Sequence, residues 1–494
     1  MNLFNLFAQR AALQPDHALV ITATEEISYG TFLAQVKALG ATLRTLGVGP
    51  GQCIGIHYPN SAAYIRLTYA LWECGACAVP IPVELSAPEK VQIATSIRID
   101  AVLTRPGTSD LDGIAAAECQ TVSSDAALVW AKPFRNHPAG FADINAAFVR
   151  FSSGTTGTAK GVVLSHETIY DRIQAAKAGL NLGPDDRVVW LLSMAYHFAV
   201  TIVAYLSYGV TILLCPDPFG ITIVRTAAKY RATVIYAAPI HYALMTQARG
   251  EQMMPDVRMA IVTTAALPPE TAIGFHRRFG IPLMETYGII EVGLPCINLT
   301  SPWEKRGSVG RVQAAYEIRL GNGEGIGEIL LRGSGFVDAY YDPWRTRAEI
   351  LADRQGWFNT GDLGEFDADG YLYIRGRSKE VISVGGMKVF PQEVEAVLRA
   401  HPAVQDACVF RFPHRRLGDV PHAHVVRDRA YAAFSEASLE SELREFCRAR
   451  LASHKIPECL LFVDRLTRTA SGKLIRDYSK LEHSNIEQRE VVNL

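Results

Sequence analysis

The chain has 494 residues, 49% of them hydrophobic, which is enough for two or more domains with sizeable cores. Lysine plus arginine (49) nearly balances aspartate plus glutamate (50), so the basic excess that nucleic acid or an anionic membrane demands is missing and the expected partners are small molecules. Nine cysteines without regular spacing, and a start (Met-Asn-Leu-Phe-Asn-Leu-Phe) lacking the basic end and apolar core of a secretory signal, argue for a reducing cytoplasm.

In chain order, apolar spacing from Leu3 to Arg44 is helical, with a short strand near Ala18 to Ile21, and helix and strand alternate from Gly55 to Pro82. The Cys-x-x-Cys of Cys74 and Cys77 lies in the apolar run Tyr69 to Val83, where cysteines pack as small apolar side chains rather than acting as a redox pair or metal ligands. The pattern weakens between Pro106 and Phe141. A β-prone run, Ile144 to Phe151, then delivers the chain into Ser152-Ser153-Gly154-Thr155-Thr156-Gly157-Thr158-Ala159-Lys160-Gly161. Glycines let backbone N–H groups approach phosphate oxygens, the hydroxyls add donors, and Lys160 adds a point charge, so the stretch reads as a phosphate cradle. It is not the P-loop pattern, because the lysine stands three residues after Gly157 and is followed by Gly161.

Val188 to Cys215 has no charged residue and is long enough to span a bilayer, but Ser193, His197 and Ser207 interrupt it and Gly209 breaks it. We read a strand (Val188 to Leu192), a loop with His197, a helix (Phe198 to Tyr208) and a second strand (Val210 to Leu214). Further apolar runs at Thr233 to Tyr236, Met259 to Val262 and Leu283 to Tyr287 alternate with helical stretches, which predicts a largely parallel sheet covered on both faces. After Arg311, short strands around the turn dipeptides Asn322-Gly323 and Asp369-Gly370 predict a smaller β subdomain. A compact α+β tail follows, with a helix opening at Pro391 and bearing Val394, Val397 and Leu398 on one face.

The glycine- and hydroxyl-rich stretch resembles the signature of the adenylate-forming superfamily of acyl- and aryl-CoA ligases, peptide-synthetase adenylation domains and firefly luciferase. Four later stretches extend the resemblance: Glu285-Thr286-Tyr287-Gly288-Ile289-Ile290-Glu291, Thr360-Gly361-Asp362, Gly376-Arg377-Ser378-Lys379, and Ser471-Gly472-Lys473. The fold this implies is α/β: a large N-terminal domain (1–378) with mainly parallel sheets and a small β subdomain, plus a mobile α+β C-terminal domain (379–494).

The resemblance also implies residue roles. Ser152, Ser153, Gly154, Thr155, Thr156, Gly157 and Lys160 would cradle the phosphates of ATP, with Glu285 and Tyr287 on the adenine side. Glu291 would help hold Mg2+, an ion that prefers oxygen and keeps several waters. Asp362 and Arg377 would grip the ribose hydroxyls, and Lys473 would stabilise charge building on the phosphates as a carboxylate attacks. Lys379 stands at the hinge position, and Gly385 and Gly386 either line a thiol tunnel or form a plain turn. Ile290 departs from the pattern, since most members place a small hydroxyl residue there.

The family's layout puts the acid pocket at His197, Tyr236, Thr263-Thr264-Ala265 and Leu294. Thr263 and Thr264 replace small residues and should narrow it, while His197 either gates the carboxylate or packs. No aspartate lies in Met194 to Val200 to meet an α-ammonium, which favours a non-amino acid. The implied reaction takes a small-molecule carboxylate and ATP to acyl-AMP and pyrophosphate, then to a thioester with CoA. A carrier-protein phosphopantetheine as acceptor shares every residue named, and Ile290 also admits a nucleotide-binding regulatory protein without turnover. A kinase would differ in releasing ADP.

Overall fold

A computed structural model describes residues 1–108, 111–116, 119–132, 136–152, 160–321, 323, 325–352, 354–468 and 474–476. The chain divides into two compact units. The first holds Met1–Arg319, Leu330–Phe358 and Phe366–Tyr373, and the second holds Leu320–Ile329, Asn359–Glu365 and Ile374–Leu494.

The first unit is built on two nine-stranded sheets. In one, Ala18–Ile21, Thr211–Leu214, Arg187–Trp190, Val234–Ala237, Met259–Val262 and Leu283–Ile289 run parallel in that spatial order. These strands are buried along nearly their whole length, as expected of strands covered on both faces. Helices Gly220–Lys229, Pro239–Gln247 and Pro269–Phe279 supply side chains such as Ile223, Tyr242 and Phe275 to a core that also takes Val189, Ile235 and Ala260 from the strands.

The second sheet is mixed. Cys53–His57 pairs in parallel with Cys77–Pro80 and Ala101–Thr104, and Cys77–Pro80 with Ala146–Ser152. Ala146–Ser152 then pairs antiparallel with Lys160–Ser165. Helix His166–Leu180 follows at once, with the Ser165 hydroxyl accepting the Thr168 N–H at 3.0 Å and Asn181 closing it in the left-handed region. Cys74 and Cys77 are free and buried. Among the described residues no three His, Cys, Asp or Glu cluster as a metal site, and no helix is long and apolar enough to cross a membrane.

The uncharged segment after Val188 folds as strand Arg187–Trp190, one helical turn Met194–His197, a π-helical turn Phe198–Ile202 and helix Val203–Tyr208. The single helix expected from Phe198 to Tyr208 therefore opens with a wider turn. Phe198 is fully buried among Tyr64, Tyr69, Trp72 and Phe148, with ring centroids 5.6 to 6.5 Å away. Seating that ring re-aims the backbone beside His197, a common use of a π turn.

The second unit carries strands Ile382–Val384, Met387–Val389, Val404–His414, Gly418–Arg427 and Cys459–Phe462 in one sheet. Helices Pro391–Arg399 and Glu436–Arg448 pack on it through Val394, Leu398, Leu439 and Leu443, all at 0% exposure, an α+β arrangement. A four-stranded sheet of Tyr316–Leu320, Gly327–Gly333, Phe358–Phe366 and Leu372–Arg377 accounts for the short strands read after Arg311. Asp369 and Gly370 lie in one of its turns, closed by Gly370 N–H to Asp367 O at 3.0 Å.

Candidate active site

Ser153, Gly154, Thr155, Thr156, Gly157 and Lys473 lie outside the described residues, and so does the Ser152 side chain. The frame of the cradle is defined nonetheless. Ser152 pairs with Lys160, and two residues further in Arg150 pairs with Val162, which pairs in turn with Tyr340 of strand Ala339–Tyr340. Directly opposed residues share a face, so Arg150, Val162 and Tyr340 form one row. Lys160 stands over the edge of that row, its ammonium 4.6 Å from the Tyr340 ring centre. Gly161 is glycine for packing, because a Cβ there would meet Tyr341 Cβ at 2.8 Å.

Glu291 faces the same row. Its charge acts on the Arg150 guanidinium and on the Tyr340 hydroxyl, lifting the latter's pKa beyond what burial alone does. Its backbone is clamped on both sides. Glu291 O accepts the Val337 N–H at 2.7 Å, and the preceding carbonyl, Ile290 O, accepts Arg172 Nη1–H at 2.8 Å. Arg172 also donates from Nε to Gly335 O at 2.6 Å, and burial pulls its guanidinium down to about 10. Gly335 leaves room for this arginine, whose Cγ would lie 2.6 Å from a Cβ at that position. The Ile290 side chain is itself buried. A single carboxylate suits a hard cation that takes most of its ligands from phosphate oxygens and water.

Glu285 sits at the end of the parallel strands with Oε1 accepting the Gly307 N–H at 2.6 Å. Burial pushes its carboxyl up to about 7, opposed by that N–H. Near neutrality the group is thus part protonated, and a protonated carboxyl donates as well as accepts. Tyr287, next inward-facing on the strand, is buried.

Of the residues read as the acid pocket, Tyr236 lies near the end of a parallel strand and Thr263 just beyond one, while Leu294 lies in the antiparallel strand Gly293–Ile297. The Trp190 and Tyr236 rings stack at 5.9 Å and 10°, and the His197 ring meets them edge-on at 6.5 and 6.4 Å. Trp190 Nε1 is buried with no hydrogen-bond partner among the described residues. The Thr263 N–H donates to Ala237 O at 3.1 Å. Thr264 has φ +77°, a left-handed conformation unusual for a β-branched residue, Ala265 is exposed, and Leu294 O accepts Gln313 Nε2–H at 2.7 Å.

In the second unit Asp362 and Arg377 are ion-paired, with Arg377 Nε 2.9 Å from Asp362 Oδ1. Thr360 Oγ1 accepts the Asp362 N–H at 3.0 Å and donates to Ile329 O at 2.9 Å. Lys379 lies in the 3-10 turn Ser378–Glu380. Gly385 and Gly386 form the hairpin turn between Ile382–Val384 and Met387–Val389, both with positive φ. Arg476 grips Glu395 through Nε (3.0 Å) and Nη2 (2.9 Å), and Arg468 Nη2 reaches Asp406 at 2.7 Å.

Sequence reading assigned no role to Arg150, Arg172, Trp190 or Tyr340. The one visible signal was a charge inside an apolar strand, Phe148-Val149-Arg150-Phe151.

The chain matches the family of AMP-binding enzymes over residues 7–341, and the C-terminal domain of those enzymes over residues 393–473. It belongs to the AMP-binding enzymes. It is 30% identical to a sulfoacetate–CoA ligase of Cupriavidus necator, over 95% of this chain and 96% of that protein. A 2-succinylbenzoate–CoA ligase of Bacillus licheniformis is 29% identical, with 96% and 98% covered. Among solved structures, the o-succinylbenzoate CoA synthetase of Bacillus subtilis in complex with the acyl-adenylate intermediate OSB-AMP superposes with TM-score 0.81 at 25% identity, covering 97% of this chain and 98% of that one. The same enzyme with ATP and magnesium ion gives 0.82.

Proposed function

We propose that the chain is an AMP-forming acid–thiol ligase that activates a non-amino carboxylic acid as its acyl-adenylate and passes the acyl group to CoA. The observation that carries this reading is the row Arg150, Val162 and Tyr340 facing Glu291, with Lys160 at its edge, set beside the aromatic group of Trp190, His197 and Tyr236. A basic, oxygen-liganding half and an apolar half side by side suit a phosphate and an organic acid that must meet.

ATP supplies the leaving pyrophosphate, and Mg2+ the charge that neutralises it. The chain's own residues do the rest. Lys160 offers a fixed charge at the exit of the cradle, and Glu291, its backbone held by Arg172 and Val337, presents a carboxylate oxygen to the cation. Glu285 presents a donor and an acceptor to the adenine edge, and Asp362 with Arg377 offers paired groups to the ribose. The aromatic rings exclude water from the acid's body, and Lys473 is assigned to the charge that builds in the transition state. Lys379 is the proposed hinge and the Gly385-Gly386 turn the proposed passage for the pantetheine arm.

Mutation of Lys473 to Ala tests the mechanism. It should abolish acid-dependent pyrophosphate release while leaving conversion of supplied acyl-adenylate to thioester. Equal loss of both steps would remove the assigned role. Release of ADP in place of AMP would contradict the reaction class.

A further inference from the structure

Arg150 is a half-buried cation with little to balance it. Of its five N–H donors, Nη1 gives one hydrogen bond, to Tyr196 O at 2.7 Å, and the guanidinium carbon lies 5.5 Å from the Tyr196 ring centre. Its Nε is buried without a partner, and it forms no ion pair among the described residues. Glu291 acts on it only from a distance, and burial disfavours its charge. A half-buried guanidinium left without a carboxylate is costly to keep, and a neutral side chain of similar size would serve the fold better.

The strand's geometry shows where this cation is aimed. Phe148 and Arg150 stand two residues apart on one face of Ala146–Ser152. Phe148 stacks on Phe198 at 6.5 Å, and Arg150 bonds the carbonyl of Tyr196, so this face looks onto the segment that holds His197 between them. The guanidinium is therefore on the His197 side, two residues back along the strand from Ser152, which pairs with Lys160. A planar fork with unused N–H groups matches a carboxylate, which takes two parallel hydrogen bonds.

We propose that Arg150 is an anion-binding residue that receives the carboxylate of the substrate acid and holds it between the His197 segment and Glu291. This rests on the ligase reading above. It adds a residue for which the sequence offered no role, and it explains why a charge is kept inside an apolar strand.

The test uses the full chain as wild type, R150K and R150M, with benzoate, 2-succinylbenzoate, octanoate and sulfoacetate as probe acids and Mg-ATP as nucleotide, following pyrophosphate release. For whichever acid the wild type activates, both variants should raise the acid's KM about 10- to 100-fold, the loss of a charged hydrogen-bonded pair, with KM for Mg-ATP changed by less than about 3-fold. In the free protein R150M should melt no lower than wild type, because it removes an unpaired, half-buried charge. An unchanged acid KM overturns the proposal. A rise in the Mg-ATP KM in place of the acid's also overturns it, since the guanidinium would then serve a nucleotide phosphate. So does a lower melting temperature of R150M with both KM values unchanged, the signature of a structural brace. If R150M does not fold, R150K, which keeps the charge and loses the fork, gives the same KM comparison. Absence of pyrophosphate from the wild type with every acid would fail the ligase reading itself; the melting comparison then decides Arg150 separately, a lower R150M value overturning its assignment and an equal or higher one supporting it.

Discussion

Arg377 Nε lies 2.9 Å from Asp362 Oδ1, and the Asp362 side chain is only 6% exposed while that of Arg377 is 29% exposed. Arg377 is thus a charged partner of a carboxylate nearly closed off from water. Removing one partner of such a pair costs more than removing both, because a buried charge is left behind. Arg377→Met should destabilise by about 1–3 kcal/mol in urea unfolding, and adding Asp362→Asn should restore part of that loss. Additive effects would show that the pair is not coupled.

Glu285 predicts a pH dependence of stability. Its carboxyl titrates near 7 in the folded chain against an ordinary value of 4.5. Between these values the folded state holds a proton that the unfolded state has lost, so the contribution of Glu285 to stability falls as pH rises from about 4.5 to about 7 and is flat outside that window. The melting temperature of Glu285→Gln minus that of wild type should grow across this range. A constant difference from pH 4.5 to 8 would contradict the assignment.

Thr264 holds φ +77° where glycine is the easy choice. A β-branched residue there carries strain of about 1–3 kcal/mol, partly offset against glycine by glycine's larger unfolded-state entropy. Thr264→Gly should therefore be neutral or stabilising by about 1 kcal/mol, Thr264→Ala less so, and the glycine variant should accept bulkier acids. Destabilisation by Thr264→Gly in urea unfolding would count against strain at this turn.

Lys379, in the turn Ser378–Glu380, is the proposed hinge. Proline fixes φ near −65° and restricts the preceding residue, so Lys379→Pro should slow thioester formation at least about 10-fold more than adenylation, measured as separate half-reactions. Equal losses would place the pivot elsewhere.

Much of the scaffold was legible because it depends on local runs. Ala18–Ile21 and Met259–Val262 fold over the very residues whose apolar run marks them, and Pro391 opens a helix that buries Val394 and Leu398. The π turn at Phe198–Ile202 was not legible, since it follows from seating one ring among Tyr64, Tyr69, Trp72 and Phe148, which lie far away in sequence. Pairings behaved the same way. A motif marks Asp362 and Arg377 as polar and placed, but only the register of two strands brings them together, and nothing near Glu285 announces Gly307. Arg150 was visible as a charge in an apolar strand, yet its meaning depends on Tyr196 and Glu291, which the fold alone delivers.

The central claim is the reaction, and it is tested most directly by incubating the purified chain with Mg-ATP and aryl, short, medium and long aliphatic acids and amino acids, with and without CoA, while following pyrophosphate, nucleotide and thioester. Pyrophosphate release should depend on one group of non-amino acids, with AMP and acyl-CoA appearing when CoA is added. Mg-ATP binding without pyrophosphate release for any acid would contradict it, and would make Ile290→Thr the first variant to examine.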